Sequence, residues 1–205
     1  MSIPFLLVLL PVLGIAQVQA DIHTVGRVEC CYSWLTSVNT LHTVVPPLSQ
    51  GHEIMTLHIR PATADDANAI STVIIRSLRQ TNAADYSAAL IAQIEDNFTP
   101  VRVLALLEQR QVLVALVDQQ VVATASLQGN VVRSVFVAPE MQGRGLGRAL
   151  MQAVEALAQQ SGQVLLRIPS SITAQGFYAR LGYVQVREVM EGAERIIVME
   201  RALRS

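Results

Sequence analysis

Lysine is missing from this chain of 205 residues: all 15 basic side chains are arginine. A P-loop needs a lysine on the phosphates, and pyridoxal enzymes need one for their Schiff base, so both chemistries are excluded. Codon usage is the plainest source of the deficit. Cysteine is nearly absent as well. Cys30 and Cys31 are neighbours, so they cannot form the disulfide framework of a secreted mini-protein. The flanking His23 and His42 do not give them metal-ligand spacing, and no metal is expected. Charge is sparse too, with 15% charged residues and a net charge of −1. No run of arginine is dense enough to track a phosphate backbone, so nucleic acid is not an expected partner. Apolar residues make up 51% of the chain, enough for a real core and one domain with room for an appendage.

The first 54 residues differ from the rest. They hold both cysteines, the only tryptophan, three of the four histidines and a single arginine, Arg27. Ile3 to Ala16 is apolar but short for a bilayer span, and Val18-Gln19-Ala20 resembles a signal-peptidase site without the usual positive n-region. Pro46-Pro47 interrupts a stretch with little periodicity. The expectation is a domain over residues 55–205, with Met55 as the true start and residues 1–54 an over-extended reading frame. A genuine signal or membrane anchor is the alternative. The corresponding locations are cytoplasmic, or exported or anchored, and no membrane contact is expected unless the leader is genuine.

From Met55 onward short strands and amphipathic helices alternate. Leu57 to Arg60 reads as a strand. Ala64 to Arg79 reads as a helix with Ala67, Ile70, Ile74 and Leu78 on one face and Asp65 and Asp66 in its first turn. Tyr86 to Asn97 is a second helix, and Thr99-Pro100 starts a third. Val112 to Val117, Val121 to Leu127 and Val131 to Val137 form an antiparallel meander, joined by Asp118-Gln119-Gln120 and by Gly129-Asn130. Then follow a helix from Gly147 to Gln160, a strand from Val164 to Ile168, a helix from Ala174 to Leu181, and strands at Tyr183 to Val189 and Ile196 to Met199. The class is α+β: a mixed, twisted sheet of six to seven strands with helices on both faces.

Between the strand ending at Val137 and the helix after Gly147 lies Pro139-Glu140-Met141-Gln142-Gly143-Arg144-Gly145-Leu146-Gly147. Without a Cβ at Gly143, Gly145 and Gly147, a bulky anion can approach successive backbone N–H groups. The following helix adds unpaired N–H groups and about half a positive charge at its N-terminus, an arrangement that suits a pyrophosphate. Arg144 and Arg148 stand ready to neutralise further phosphate charge. A dinucleotide fingerprint fails on spacing, because the glycines run G-x-G-x-G and follow a late strand. A ligand-free glycine turn would be the plainer account of an isolated cluster.

The cluster is not isolated. Val137-x-Pro139-x-x-Gln142-Gly143-x-Gly145-x-Gly147 resembles motif A of the GNAT superfamily of N-acetyltransferases. Ala174-Gln175-Gly176-Phe177-Tyr178-Ala179-Arg180-Leu181-Gly182-Tyr183 resembles that family's motif B. The opening Ile59-Arg60-Pro61-Ala62 and the ending Val198-Met199-Glu200-Arg201-Ala202-Leu203 extend the likeness over nearly all of Met55 to Leu203. The resemblance implies acetyl-CoA as co-substrate, lying in a V-shaped opening between the fourth and fifth strands. Its pantetheine would pair with the backbone of Val135, Phe136 and Val137 like an added strand, and its pyrophosphate would sit on the amides of Gln142, Gly143, Arg144, Gly145, Leu146 and Gly147. It further implies direct attack by an amine in a ternary complex, with Tyr178 as general acid to the departing thiolate. A packed helix tyrosine is the plain alternative, disfavoured because Phe177 beside it would already supply the core face.

Two departures stand out. Many family members carry a glutamate early in the fourth strand, where this chain has Val131 and Val132. An alkylamine with a pKa near 10.4 is mostly protonated at pH 7, and exposing its lone pair costs roughly 4 to 5 kcal/mol unless a base assists. Candidate bases are Glu188, Glu191, Glu194, Asp85, Tyr86 or a water chain. The family also often has asparagine near the pantetheine, where this chain has Ser171 after Ser170. The string Ser170-Ser171-Ile172-Thr173-Ala174, with Ala84-Asp85-Tyr86 upstream, resembles a loosely characterised branch of the superfamily. The implied acceptor is a primary amine of a small molecule, ahead of a peptide N-terminus or protein lysine, and a homodimer is compatible with the reading. A non-catalytic acyl-CoA-binding or regulatory module on the same fold is the rival.

Overall fold

Alternating apolar residues and tight turns build a single sheet in the computed structural model, which describes residues 56–83, 86–191 and 194–203. The leader with both cysteines, and Asp85, lie outside the described residues. The strands are β1 (Leu57–Pro61), β2 (Gln111–Val117), β3 (Gln120–Gln128), β4 (Val131–Val137), β5 (Leu165–Ser170), β6 (Val184–Glu191) and β7 (Glu194–Ala202). They form a seven-stranded sheet in the order β1-β2-β3-β4-β5-β7-β6. Every neighbouring pair is antiparallel except β4 and β5, which run parallel.

Helices cover both faces, as the mixed α+β reading requires. On one side α1 (Ala67–Thr81), α2 (Ala88–Asp96) and α3 (Pro100–Gln109) pack Ile70, Ile74, Leu78, Ile94 and Val103 against Val114 and Leu116 of β2. On the other, α4 (Leu146–Gln160) and α5 (Ile172–Arg180) place Leu150, Met151, Val154 and Tyr178 over Leu113 and Ala115 of the same strand. Burial of each large side chain stabilises the fold by about 1.5–3 kcal/mol. None of the described helices is long and apolar enough to cross a membrane.

Several element ends differ from the sequence reading, for local reasons. The first helix does not begin at Ala64: residues Ala64–Asp66 form a 3-10 turn. There Asp66 accepts from the Thr63 N–H at 2.7 Å and from Arg60 at 2.7 and 2.9 Å, tying the turn to β1. The guanidinium holds the Asp66 carboxyl down at about 2. The second helix begins at Ala88 rather than Tyr86, because the Ser87 hydroxyl accepts from the Leu90 N–H at 3.2 Å as its N-cap. Strand β7 extends beyond Ile196–Met199 into polar residues, held by ion pairs across the sheet: Arg167 with Glu200 and Arg195 with Glu188.

The β2–β3 hairpin closes through two residues, Asp118 and Gln119, with φ of +50° and +64°. Both therefore sit in the left-handed region, the geometry of a type I′ turn that matches strand twist but favours glycine. Gln119→Gly should relieve a penalty of about 1 kcal/mol and raise the urea midpoint accordingly. An unchanged midpoint would show that the flanking strands, rather than the turn, set the hairpin's stability.

Candidate active site

Strands β4 and β5 share one bridge, Val131 opposite Arg167, with the Arg167 N–H donating to the Asn130 carbonyl at 2.9 Å. The next donor a parallel ladder would draw from β5 lies two residues on. That residue is Pro169, which has no N–H to give. Pairing stops there, the strands part, and a cleft of about 570 Å³ opens between them. One wall is β4 from Val132 to Val137, and the other is β5 from Ile168 to Ser170 with the start and one face of α5. The glycine loop and first turn of α4 close one end. Ser77, Thr81 and Asn82 of the α1 terminus border the cleft beside that loop, and Tyr86 and Ile94 also line it.

Strand β4 itself is irregular at the middle of the cleft. Between Thr124 opposite Phe136 and Ser126 opposite Arg133, two β4 residues, Ser134 and Val135, face the single residue Ala125. Ser134 has φ of +51°, so this is a bulge with a strained non-glycine residue, a feature that concentrates at functional sites. The sequence reading missed it, and a valine-rich strand carries no signal for it.

The glycines of the loop have different jobs. Gly143 and Gly145 have φ of +75° and +83°, with open space where a Cβ would stand. Gly145 is the N-cap of α4 and offers no side chain to the first-turn N–H groups, which are left directed at the cleft. Gly147 has an ordinary φ, and its missing Cβ makes room for Phe177, whose ring carbons would lie 3.1 and 3.3 Å away. Its glycine therefore serves packing between α4 and α5, and not only close approach of an anion. The loop is fastened to α1. Gln142 donates to the Thr81 hydroxyl at 2.9 Å and to the Val137 carbonyl at 3.1 Å, which also accepts from Ser77 at 2.9 Å. Arg76 and Glu140 add a two-pronged ion pair at 3.0 Å.

Of the residues singled out from sequence, Val135, Phe136, Val137, Gln142, Gly143, Gly145, Leu146, Gly147, Arg148, Ser171 and Tyr178 line the cleft, and Arg144 does not. Leu146 turns its side chain away to pack with Val117 and Val122, leaving its backbone toward the opening. The Ser171 hydroxyl accepts from the Ala174 N–H at 3.3 Å, so one of its lone pairs is spent capping α5. Tyr178 is the buried residue of α5, with its ring edge-on to Phe177 and Tyr183 at 5.1 and 6.0 Å. From sequence alone Phe177 is expected to supply the core face. The helix phase reverses this: Phe177 is half-buried beneath Gly147 and Tyr178 points inward. Burial pushes the Tyr178 hydroxyl well above its usual range, so it stays protonated at neutral pH.

This combination of split strands, glycine loop and helix terminus can be compared with known families. The family described as the acetyltransferase (GNAT) domain matches residues 80–200. The chain belongs to the GNAT acetyltransferase family. It is 28% identical over 135 residues to the uncharacterized N-acetyltransferase YafP of Escherichia coli (strain K12), covering 64% of this chain and 84% of that protein. A GCN5-related N-acetyltransferase from Rhodopseudomonas palustris superposes with a TM-score of 0.68 at 28% identity, over 75% of this chain and all of that one. The fold also matches PaiA N-acetyltransferase from Thermoplasma acidophilum, solved in complex with coenzyme A, with a TM-score of 0.64 at 19% identity. That match covers 72% of this chain and 99% of that one.

Within this GNAT domain the candidate bases separate. Glu188 is exposed on the edge strand β6 and held by Arg195, whose hydrogen bonds keep its pKa low. It is absent from the cleft wall and is a poor base, which removes it from the candidates. Glu191 and Glu194 flank the β6–β7 turn and their side chains, like Asp85, lie outside the described residues. Tyr86 does line the cleft. No group of three metal-ligating side chains occurs among the described residues.

The Gly147–Phe177 contact makes a direct test of the packing account. Gly147→Ala should lose about 1 kcal/mol net in urea unfolding, since overpacking costs about 1–3 kcal/mol and alanine's helix preference returns at most about 1. A variant as stable as the parent would show that the ring yields freely and that Gly147 is kept for ligand approach alone.

Proposed function

We propose that this chain transfers the acetyl group of acetyl-CoA to the primary amine of a small molecule by direct attack in a ternary complex. The observation that carries the reading is the parting of β4 from β5 after one bridge, directly upstream of the glycine loop and the bare N-terminus of α4. A strand that has lost its neighbour offers unpaired backbone groups at Val135 to Val137, and an extended amide-bearing chain such as pantetheine can pair with them. The amides of the loop and first helical turn would receive the pyrophosphate, with Arg148 and Arg180 of the cleft wall close to that end. The PaiA structure, which holds coenzyme A, has the same fold.

The thioester would then fall near the bulge at Ser134 and Val135, where a backbone N–H released from the ladder can polarise the acetyl carbonyl. The amine lone pair forms the new C–N bond, the C–S bond breaks, and the proton lost by nitrogen balances the one gained by sulfur. A thiol has a reference pKa near 8.5, below that of the buried Tyr178. Tyr178 therefore serves best by donating a hydrogen bond to the departing sulfur while the net proton comes from the amine. A base for the ammonium is not among the described carboxylates of the cleft wall. That observation keeps the rival of an acyl-CoA-binding module in play, and turnover decides between the two.

Tyr178→Phe keeps the ring and removes one oxygen, so acetyl-CoA should bind as before while turnover falls at least about tenfold. Rates within about threefold of the parent, with chemistry shown to limit, would return Tyr178 to a packing role. Coenzyme binding without turnover of any amine would favour the binding module.

A further inference from the structure

A strained serine stands where the proposed function puts the thioester. Ser134, at the bulge of β4, is half-buried and lines the cleft. Its φ of +51° is a conformation that glycine adopts freely and serine does not. Glycine would suit this backbone better, and the hydroxyl is what glycine would lose.

Hydroxyls around the cleft are used in two ways. Those of Ser77 and Ser170 donate to the carbonyls of Val137 and Ser171 at 2.9 and 2.8 Å, so their protons are spent inside the protein. On the neighbouring strand β3, Ser126 and Thr124 likewise donate to the carbonyls of Arg133 and Leu113, at 3.0 and 3.1 Å. The Ser134 hydroxyl instead accepts, from Arg110 Nη1, at a long 3.4 Å. A guanidinium has donors only, so this bond occupies a lone pair of Ser134 and leaves its proton to be given elsewhere. Among the described residues none receives it. Arg110 itself sits at the junction of α3 and β2, outside the cleft wall, and acts on the cleft through this hydroxyl.

One reacting atom suits such a donor. The amine nitrogen must keep its lone pair for carbon, so a donor aimed at it would oppose attack. The departing sulfur already has Tyr178. The thioester oxygen remains, and it takes on negative charge as the C–N bond forms and the carbonyl π pair moves onto it. We infer that the Ser134 hydroxyl, held by Arg110, donates a hydrogen bond to the thioester oxygen and stabilises this oxyanion beside the backbone N–H freed at the bulge. As the carbonyl re-forms and the C–S bond breaks, the proton lost by the amine balances the thiol, and the Ser134 proton never leaves its oxygen. Ser134 is then a catalytic residue and Arg110 a positioning residue. The inference rests on the acetyl-transfer reading and adds a named donor to it.

Acetyl-CoA isotopically labelled at its acetyl carbonyl reports on this hydrogen bond by NMR and needs no acceptor. Its carbonyl resonance should move downfield on binding to the parent and lose part of that shift in Ser134→Gly and Ser134→Ala, with acetyl-CoA affinity within about threefold of the parent. Arg110→Met should lose a smaller part and add nothing in the Ser134→Gly background, a coupling that a packing role for Arg110 would not produce. With an amine that the parent acetylates, kcat should fall at least about tenfold in both serine variants, since one oxyanion donor is worth about 10²–10³ and the backbone donor remains. A serine kept only for folding predicts the opposite, because glycine fits the positive φ. An unchanged carbonyl resonance or an unchanged kcat in Ser134→Gly, folded by circular dichroism, would overturn the inference. Failure of the parent to bind acetyl-CoA, or to acetylate any amine, would instead remove the acetyl-transfer reading on which it stands.

Discussion

A single missing hydrogen-bond donor shapes this molecule: Pro169 cannot continue the parallel ladder that Arg167 begins with Asn130. One bridge holds β4 to β5, while β5 remains paired along its length with β7, and β4 remains paired with β3. The sheet therefore stays whole at its edges and opens at its centre. Buried backbone polar groups are rarely left unpaired, so the free edge of β4 is either hydrated or reserved for a ligand with amides of its own. The bulge at Ser134 and Val135 lies on that edge, as a local distortion held against its own backbone preference.

Everything around the opening acts to keep its walls in position. The core beneath α4 and α5 fixes one wall, with Leu150, Met151 and Val154 fully buried. The core beneath α1, α2 and α3 fixes the other, and Phe98 meets Phe136 of β4 edge-on at 5.9 Å. The glycine loop, which has little side-chain mass to anchor it, is held through Gln142 and through the shared Val137 carbonyl. Six ion pairs join described residues, none of them on the cleft wall.

Much of this was legible in the sequence wherever physics is local. Helical periodicity located α1 and α4, the segments Asp118-Gln119-Gln120 and Gly129-Asn130 located the meander although Gln120 itself pairs with Val117, and the glycines before Leu150 marked the helix N-terminus. What stayed hidden depends on tertiary contact. The phase of the short α5 could not be read from Phe177-Tyr178, because two adjacent aromatics give no periodicity and Gly147 decides which one is accommodated beneath α4. Gly147 looked like its neighbours until Phe177 was placed beside it. Glu188 read as a free carboxylate until β7 brought Arg195 alongside. Arg110 lies 24 residues from Ser134, and no local pattern links them.

The central claim is that the glycine loop at the opening of β4 and β5 receives the pyrophosphate of acetyl-CoA. Isothermal titration of acetyl-CoA into the parent and into Gly145→Val tests it most directly, since the valine stands where the phosphates must approach the backbone. The account predicts binding by the parent and a loss of at least about tenfold in affinity, or about 1.4 kcal/mol, in a variant that remains folded by circular dichroism. Equal affinity in the two folded proteins would contradict it.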